Sequence, residues 1–291
     1  MDYESLEKSL KNVKNGKVFC LGHSVLRRKI YGVFFNFGST HSVLIHGAIH
    51  AREHIASDLV CYLIKQADEN FESLKGEIPN ILFVPMVNPD GVMLCIYGLK
   101  SVKNTKFWPF LIELNNKSED FSLFKANANG VDLNNNFDAD FGLDPRYSPF
   151  PSSHGYPSTH FESEPESRTL AKVARTIKPL FTISYHSKGE EIYYNFKIGA
   201  KKLKFHRKNA KIFAKMLKYK LIEDCGASCG GFKDYCIDKL KIPSITVEAC
   251  SDKLSYPLGK EAYLDLVLRH KNFFKALKKS YNYILKHKDK F

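Results

Sequence analysis

Apolar residues along this chain fall into short dense runs, separated by longer stretches with a three-to-four-residue repeat. The runs Lys29–Phe37, Ser42–His46, Ile81–Val87, Phe181–Tyr185 and Ser244–Val247 are rich in β-branched and aromatic residues and predict strands. Between them, helical spacing covers Ile55–Asp68, Glu164–Ile177, Lys208–Leu217 and a long stretch from about Glu261 to Ile284. Ser163 and Glu166 read as a capping box, with Pro165 in the first turn of its helix. Uniformly apolar strands alternating with helices predict an α/β fold. Its central sheet should be mixed and mostly parallel, with helices on both faces and antiparallel strands near the N-terminus. Residues 98–157 break the pattern, being rich in Asn, Asp, Pro and aromatics. A long irregular stretch inside a compact domain is usually functional. No repeat, low-complexity tract or linker is visible, so residues 1–291 are read as one domain with an elaborate loop region at about 98–157.

Composition adds constraints. Hydrophobic residues make up 44% and charged residues 26%, an ordinary globular profile. No segment approaches about 20 apolar residues, so no membrane span is expected. The start, Met1-Asp2-Tyr3-Glu4, is acidic and lacks the apolar core of a secretory signal. A cytoplasmic location is expected, with a removed leader left open. Seven cysteines, an odd number, suggest reduced thiols. The formal charge of +13 allows three readings: a solvated surface, a field that attracts an anionic substrate, or contact with nucleic acid or another anionic polymer. The lysines are dispersed and no nucleic-acid module is recognisable, so no specific nucleic-acid partner is expected.

The chemistry concentrates at Leu44-Ile45-His46-Gly47-Ala48-Ile49-His50-Ala51-Arg52-Glu53-His54. A buried strand turns at a glycine and delivers His50-x-x-Glu53 into a predicted helix, where residues three apart share a face. Zinc favours such a pair, completed by a third ligand and one open position. Sites in open α/β sheets form at the carboxyl ends of strands. The run Phe181–Ser187 carries His186 near its end, which nominates that residue as third ligand. The run Ser244–Glu248 ends in a carboxylate, which nominates Glu248 as the base for the attacking water. His46 and His54 are read as packing residues. His50-x-x-Glu53-His54 also spells a pattern in which both histidines ligate and the glutamate is the base. The glycine turn just before His50 argues against it. Cys225-x-x-x-Cys229 has no matching pair and reads as a loop with free thiols.

These segments together resemble the zinc carboxypeptidase family, over roughly Leu21 to Pro257. The resemblance rests on His50–Glu53, Asn88-Pro89-Asp90-Gly91-Val92, Gly130-Val131-Asp132-Leu133-Asn134, Ser163-Glu164-Pro165-Glu166, Ser184-Tyr185-His186-Ser187 and Thr246-Val247-Glu248. It implies one zinc ion held by His50, Glu53 and His186, with Glu248 as general base. It also implies that Arg52 and the basic Lys125 polarise the scissile carbonyl and stabilise the oxyanion.

Departures from the family pattern narrow the substrate. Digestive members clamp a terminal carboxylate with an Asn-Arg pair, and here Asn134 and Asn135 stand there. A neutral amide cannot make the charge-assisted fork of arginine. Lys233, in Gly230-Gly231-Phe232-Lys233-Asp234-Tyr235, occupies the family's specificity segment. The family's catalytic-loop tyrosine has no counterpart in residues 223–226. The run from Ser184 to Tyr194 is similar to bacterial members that cleave γ-D-glutamyl-diaminopimelate bonds in cell-wall peptides. Lys233, Lys188 and Arg146 would suit such an acidic peptide, and a murein-peptide hydrolase is the leading expectation. The alternatives are a metallocarboxypeptidase for peptides with acidic C-terminal residues, a zinc deacylase of a small N-acyl amino acid, a silent zinc-bearing binding protein, and a basic polymer binder.

Overall fold

The computed structural model describes residues 1–223 and 229–287. Helix α1 (Tyr3–Leu10) leads into strands β1 (Lys17–His23), β2 (Lys29–Phe35) and β3 (Ser42–His46). Helices α2 (Ile55–Glu69) and α3 (Phe71–Leu74), strand β4 (Asn80–Val84), and helices α4 (Pro89–Tyr97) and α5 (Trp108–Leu114) follow. The second half holds α6 (Pro165–Ile177), β5 (Phe181–Ser187), β6 (Glu191–Tyr193), α7 (Ala200–Leu217), β7 (Lys220–Ile222), α8 (Phe232–Asp238), β8 (Ser244–Ala249), α9 (Lys260–His270) and α10 (Phe273–Lys286).

Among the described residues, eight strands form one mixed sheet in the order β1-β2-β4-β3-β5-β8-β6-β7. Its centre, β4-β3-β5-β8, is parallel, and β1-β2 form an antiparallel edge. Side chains alternate across the sheet, as a pleated strand requires. Val43, Ile45, Ile81, Phe83, Phe181, Ile183, Ile245 and Val247 enter one core with residues of α1, α2, α7, α9 and α10. Leu44, Leu82 and Val84 enter a second core on the opposite face with α6 and α8. The same alternation puts Thr182, Ser184 and His186 on one side of β5, and Ser244, Thr246 and Glu248 on the matching side of β8. His186 is the register partner of Glu248.

Three sequence expectations change. The long C-terminal helix is two helices, broken at Lys271-Asn272 with no glycine or proline to signal it. The capping box does not form. Glu164 is the residue before α6, and the Ser163 hydroxyl donates to the Glu164 carboxylate (2.9 Å). Glu166 instead accepts from the Val25 backbone N–H and the Asn127 amide. Finally, His50 does not sit on a helix: it is extended, and Ala51–Glu53 form a single 3₁₀ turn before α2. The irregular stretch after α4 is anchored by a small third core that includes Leu111, Leu114, Phe121 and Phe124. No helix is long and apolar enough to cross a membrane among the described residues. Six cysteines are free thiols, and Cys225 lies outside the described residues.

Candidate metal centre

The loop after β3 is held in place by the Asn88-Pro89-Asp90-Gly91-Val92 segment. The Asn88 side-chain Oδ1 caps α4 by accepting from the Gly91 N–H (2.9 Å), and its side-chain amide donates to the carbonyls of Ala126 (3.0 Å) and Ile49 (3.3 Å). Gly91 is required by proximity: a Cβ there would lie 2.6 Å from the Ala126 carbonyl oxygen and 2.8 Å from the Ala51 Cβ. Buried Asp90 accepts from Arg28 (2.8 Å) and from the Leu26 N–H (2.6 Å). This frame delivers His50 and Glu53 to the end of β5.

There the Nδ1 atoms of His50 and His186 approach to 3.2 Å. Glu53 meets them with one oxygen 2.9 Å from His50 Nδ1 and the other 3.0 Å from His186 Nδ1. The three residues are at most 5% exposed, and their ligand atoms lie within 4.8 Å of one another. Two imidazole nitrogens facing each other beside a carboxylate form a donor set suited to zinc, and one side opens to a cleft. The far nitrogen of His50, Nε2, stands 3.2 Å from Asp132 Oδ1, and Asp132 Oδ2 pairs with Lys125 Nζ at 2.9 Å. Such a carboxylate behind a histidine fixes its tautomer and orientation.

Electrostatics follow from this packing. Burial opposes charge on His50, but Glu53 and Asp132 outweigh it and raise its proton affinity. Burial would raise the Asp132 carboxyl, yet Lys125 and His50 hold it well below the usual carboxylate range. Glu53 is likewise lowered against its burial, by His50 and His186. Glu248 moves the other way: desolvation raises its carboxyl, with His186 opposing and Glu53 adding to the rise. His46, whose Nε2 is 2.8 Å from Ser184 Oγ, is held well below its ordinary pKa by burial. His54 stands outside the cluster as the residue before α2, so the pattern with His50 and His54 as joint ligands does not form.

The cleft beside this cluster encloses about 620 Å³. Arg52, Lys125, Asn134, Arg146, Lys188, Lys233 and Glu248 all line it. Asn135 is not among the lining residues, and its backbone packs on Gly230, where a Cβ would come within 2.4 Å of the Asn135 carbonyl oxygen. Gly230 itself has φ +70°. The Asn134 side-chain oxygen accepts from the Phe232 N–H (3.1 Å) at the start of α8.

The cations expected to receive acidic groups already have partners. Lys233 is 7% exposed, pairs with Asp234 and donates to the Asn195 carbonyl (2.8 Å). Arg146 forks onto Asp144 at 2.8 and 2.6 Å. Lys188 donates to the carbonyls of Asp252 (2.5 Å) and Leu254. Arg52 differs: it has no acidic partner among the described residues, and its guanidinium lies 5.1 Å from the centre of the Tyr256 ring.

Asp132, Tyr256 and Glu191 carry no role legible in the sequence, and the structure brings all three to this region. Asp132 was visible within Gly130-Val131-Asp132, but its place behind His50 depends on the fold. Tyr256 lines the cleft and donates to the Ser187 carbonyl (2.6 Å). It lies in a loop with no periodic signal.

Residues 8–262 match the family described as zinc carboxypeptidase. The chain belongs to the zinc carboxypeptidase family. It is therefore a metallopeptidase-type hydrolase of a zinc-dependent family, and its His-Glu-His cluster suits that cofactor. Among its relatives, "Gamma-D-glutamyl-L-diamino acid endopeptidase 1" of Lysinibacillus sphaericus is 28% identical, over 89% of this chain and 68% of its own length. "Uncharacterized protein YqgT" of Bacillus subtilis is 30% identical, over 67% of this chain and 56% of its own. Bovine thrombin-activatable fibrinolysis inhibitor superposes with a TM-score of 0.74 at 19% identity, covering 98% of this chain and 95% of that one. Murein-tripeptide amidase MpaA from Escherichia coli O157 gives 0.56 at 20% identity, covering 89% and 91%. These solved structures establish the shared fold.

Proposed function

We propose that this chain hydrolyses an amide bond in a murein peptide, at a γ-D-glutamyl linkage to a diamino acid. The observation that carries the reading is the relative of that named activity, which aligns with 89% of the chain. The shared fold of a murein-tripeptide amidase supports it.

In this reading His50, Glu53 and His186 hold zinc, which when bound supplies a Lewis-acid charge to the reacting carbonyl. Glu248, beside His186 in the strand register, takes the proton of the attacking water and returns it to the leaving amine. Its carboxyl is desolvated, which raises its affinity for that proton. Arg52 shares the cleft with His50 and Glu53, its guanidinium over the Tyr256 ring, and in this reading its cation stabilises the oxyanion. Lys125 is bonded to Asp132 and acts mainly through that carboxylate, adding positive field to the same cleft.

Incubating the zinc-loaded protein with defined muropeptides, free and C-terminally blocked, and reading the products by mass spectrometry tests the reading. Cleavage at the γ-D-glutamyl bond is expected. Trimming of ordinary peptides with the γ-D-glutamyl bond left intact would overturn it.

A further inference from the structure

The charges lining the cleft can be matched one by one. Lys125 has Asp132, Lys233 has Asp234, Arg146 has Asp144, and Lys188 has backbone carbonyls. Glu53 belongs to the histidine cluster. This leaves Arg52 and Glu248, both assigned to the chemistry above, and Glu191. Among the described residues no cationic side chain pairs with Glu191.

Glu191 opens β6, which runs antiparallel to β8 with Glu191 opposite Glu248. A Cβ placed on Gly189 would lie 3.5 Å from Glu191 Oε2 and 3.6 Å from Glu248 Cβ, so both side chains border the same small space. The Tyr193 hydroxyl donates to Glu191 Oε2 at 2.7 Å, which orients the carboxylate. Glu191 and Tyr193 both line the cleft, with Ile222 and Thr246 beside them. An oriented, partly buried carboxylate without a cation, next to the reacting centre, is a receptor for a positively charged group.

We propose that Glu191 forms the ammonium subsite of this cleft, binding the free amine of the substrate's diamino acid. The proposal rests on the murein-peptide reading for its natural ligand, since a diamino acid joined through one amine presents the other. The subsite itself is argued from the charge inventory and would accept any suitably placed primary ammonium.

The test compares kcat/KM of the zinc-loaded full chain on two substrate pairs. One pair is L-Ala-γ-D-Glu-diaminopimelate and its analogue with hydrogen in place of the distal amine. The other is a peptide pair that differs by lysine against norleucine. Wild type is expected to favour the amine-bearing member at least tenfold, about 1.4 kcal/mol, mainly through KM. Glu191→Gln should bring that ratio towards one, and Glu191→Asp should restore part of it. Zinc content and thermal unfolding confirm that each variant is folded. A ratio untouched by Glu191→Gln, or no preference in wild type, would overturn the subsite, even if the muropeptides are cleaved. Glu191-dependent preference confined to the lysine pair would uphold the subsite and remove the murein reading.

Discussion

At the residue scale, neighbouring groups give chemically similar side chains opposite properties. Glu53 and Glu248 both neighbour His186, yet Glu53 is held strongly ionised by two imidazoles while desolvation raises the Glu248 carboxyl. Replacing Glu248 with Gln should therefore remove the proton acceptor and leave the donor set intact. Turnover should fall about 1,000-fold with zinc content unchanged, as measured by kinetics and metal analysis on the same preparation. Asp132→Asn acts one bond further out. It keeps the shape but weakens the support of His50, so zinc affinity should drop roughly 10- to 100-fold in a chelator competition. Unchanged affinity would show that Asp132 does not hold His50 in its working orientation.

At the element scale, much of the architecture could be read from the sequence because the central strands are buried and largely apolar, β3 and β4 on both sides and β5 and β8 on one. The observed β3 matches the apolar run Ser42–His46, and the observed α2 begins where the helical spacing does. Three-residue β6 carries no such pattern, which is why Glu191 could not be placed beside Glu248 in advance. Similarly, the alternation of polar residues on β5 and β8 identifies His186 and Glu248 as end-of-strand groups. The lysines were legible as cations, but not as cations already paired, because pairing is a contact between distant segments. Lys233 lies next to its partner in sequence, yet only α8 packing shows that both are turned from solvent.

The entry to α6 gives a prediction of its own. Burial, together with nearby Asp90 and Glu164, pushes the Glu166 carboxyl up to about 8. A carboxyl raised on folding holds its proton in the native state after the unfolded chain has lost it. Stability from this group is fully present below the unfolded value near 4.3 and is lost as pH rises towards 8. The slope is about 1.4 kcal/mol per pH unit across that window. Glu166→Gln, neutral throughout, should flatten this component of the unfolding free energy measured against pH. A parallel pH dependence in wild type and variant would refute the assignment.

For the molecule as a whole, the net charge of +13 is distributed well beyond the cleft. Helix α7 carries Lys201, Lys202, Lys204, Arg207, Lys208, Lys211 and Lys215, all exposed, and no acidic residue. Since most cleft cations are locally paired, attraction of an anionic peptide depends on this broader field. Salt screens such a field over about 8–10 Å. Raising ionic strength from about 0.02 to 0.5 M, two settings chosen to bracket that screening range, should lower kcat/KM for a multiply carboxylated peptide while leaving kcat nearly constant. The same decline for a neutral peptide would argue against electrostatic steering.

The pairing of His186 with Glu248 across two adjacent parallel strands carries a consequence for how the chain reaches its native form. A slip of either strand by one residue would turn its polar side into the apolar core and separate the two groups. Only one alignment of β5 assembles the nitrogen of His186 with His50 and Glu53. Zinc binding and correct strand alignment are therefore thermodynamically linked, and metal present during folding favours the native alignment over its neighbours. The metal centre thus acts as a check on assembly as well as a place for chemistry.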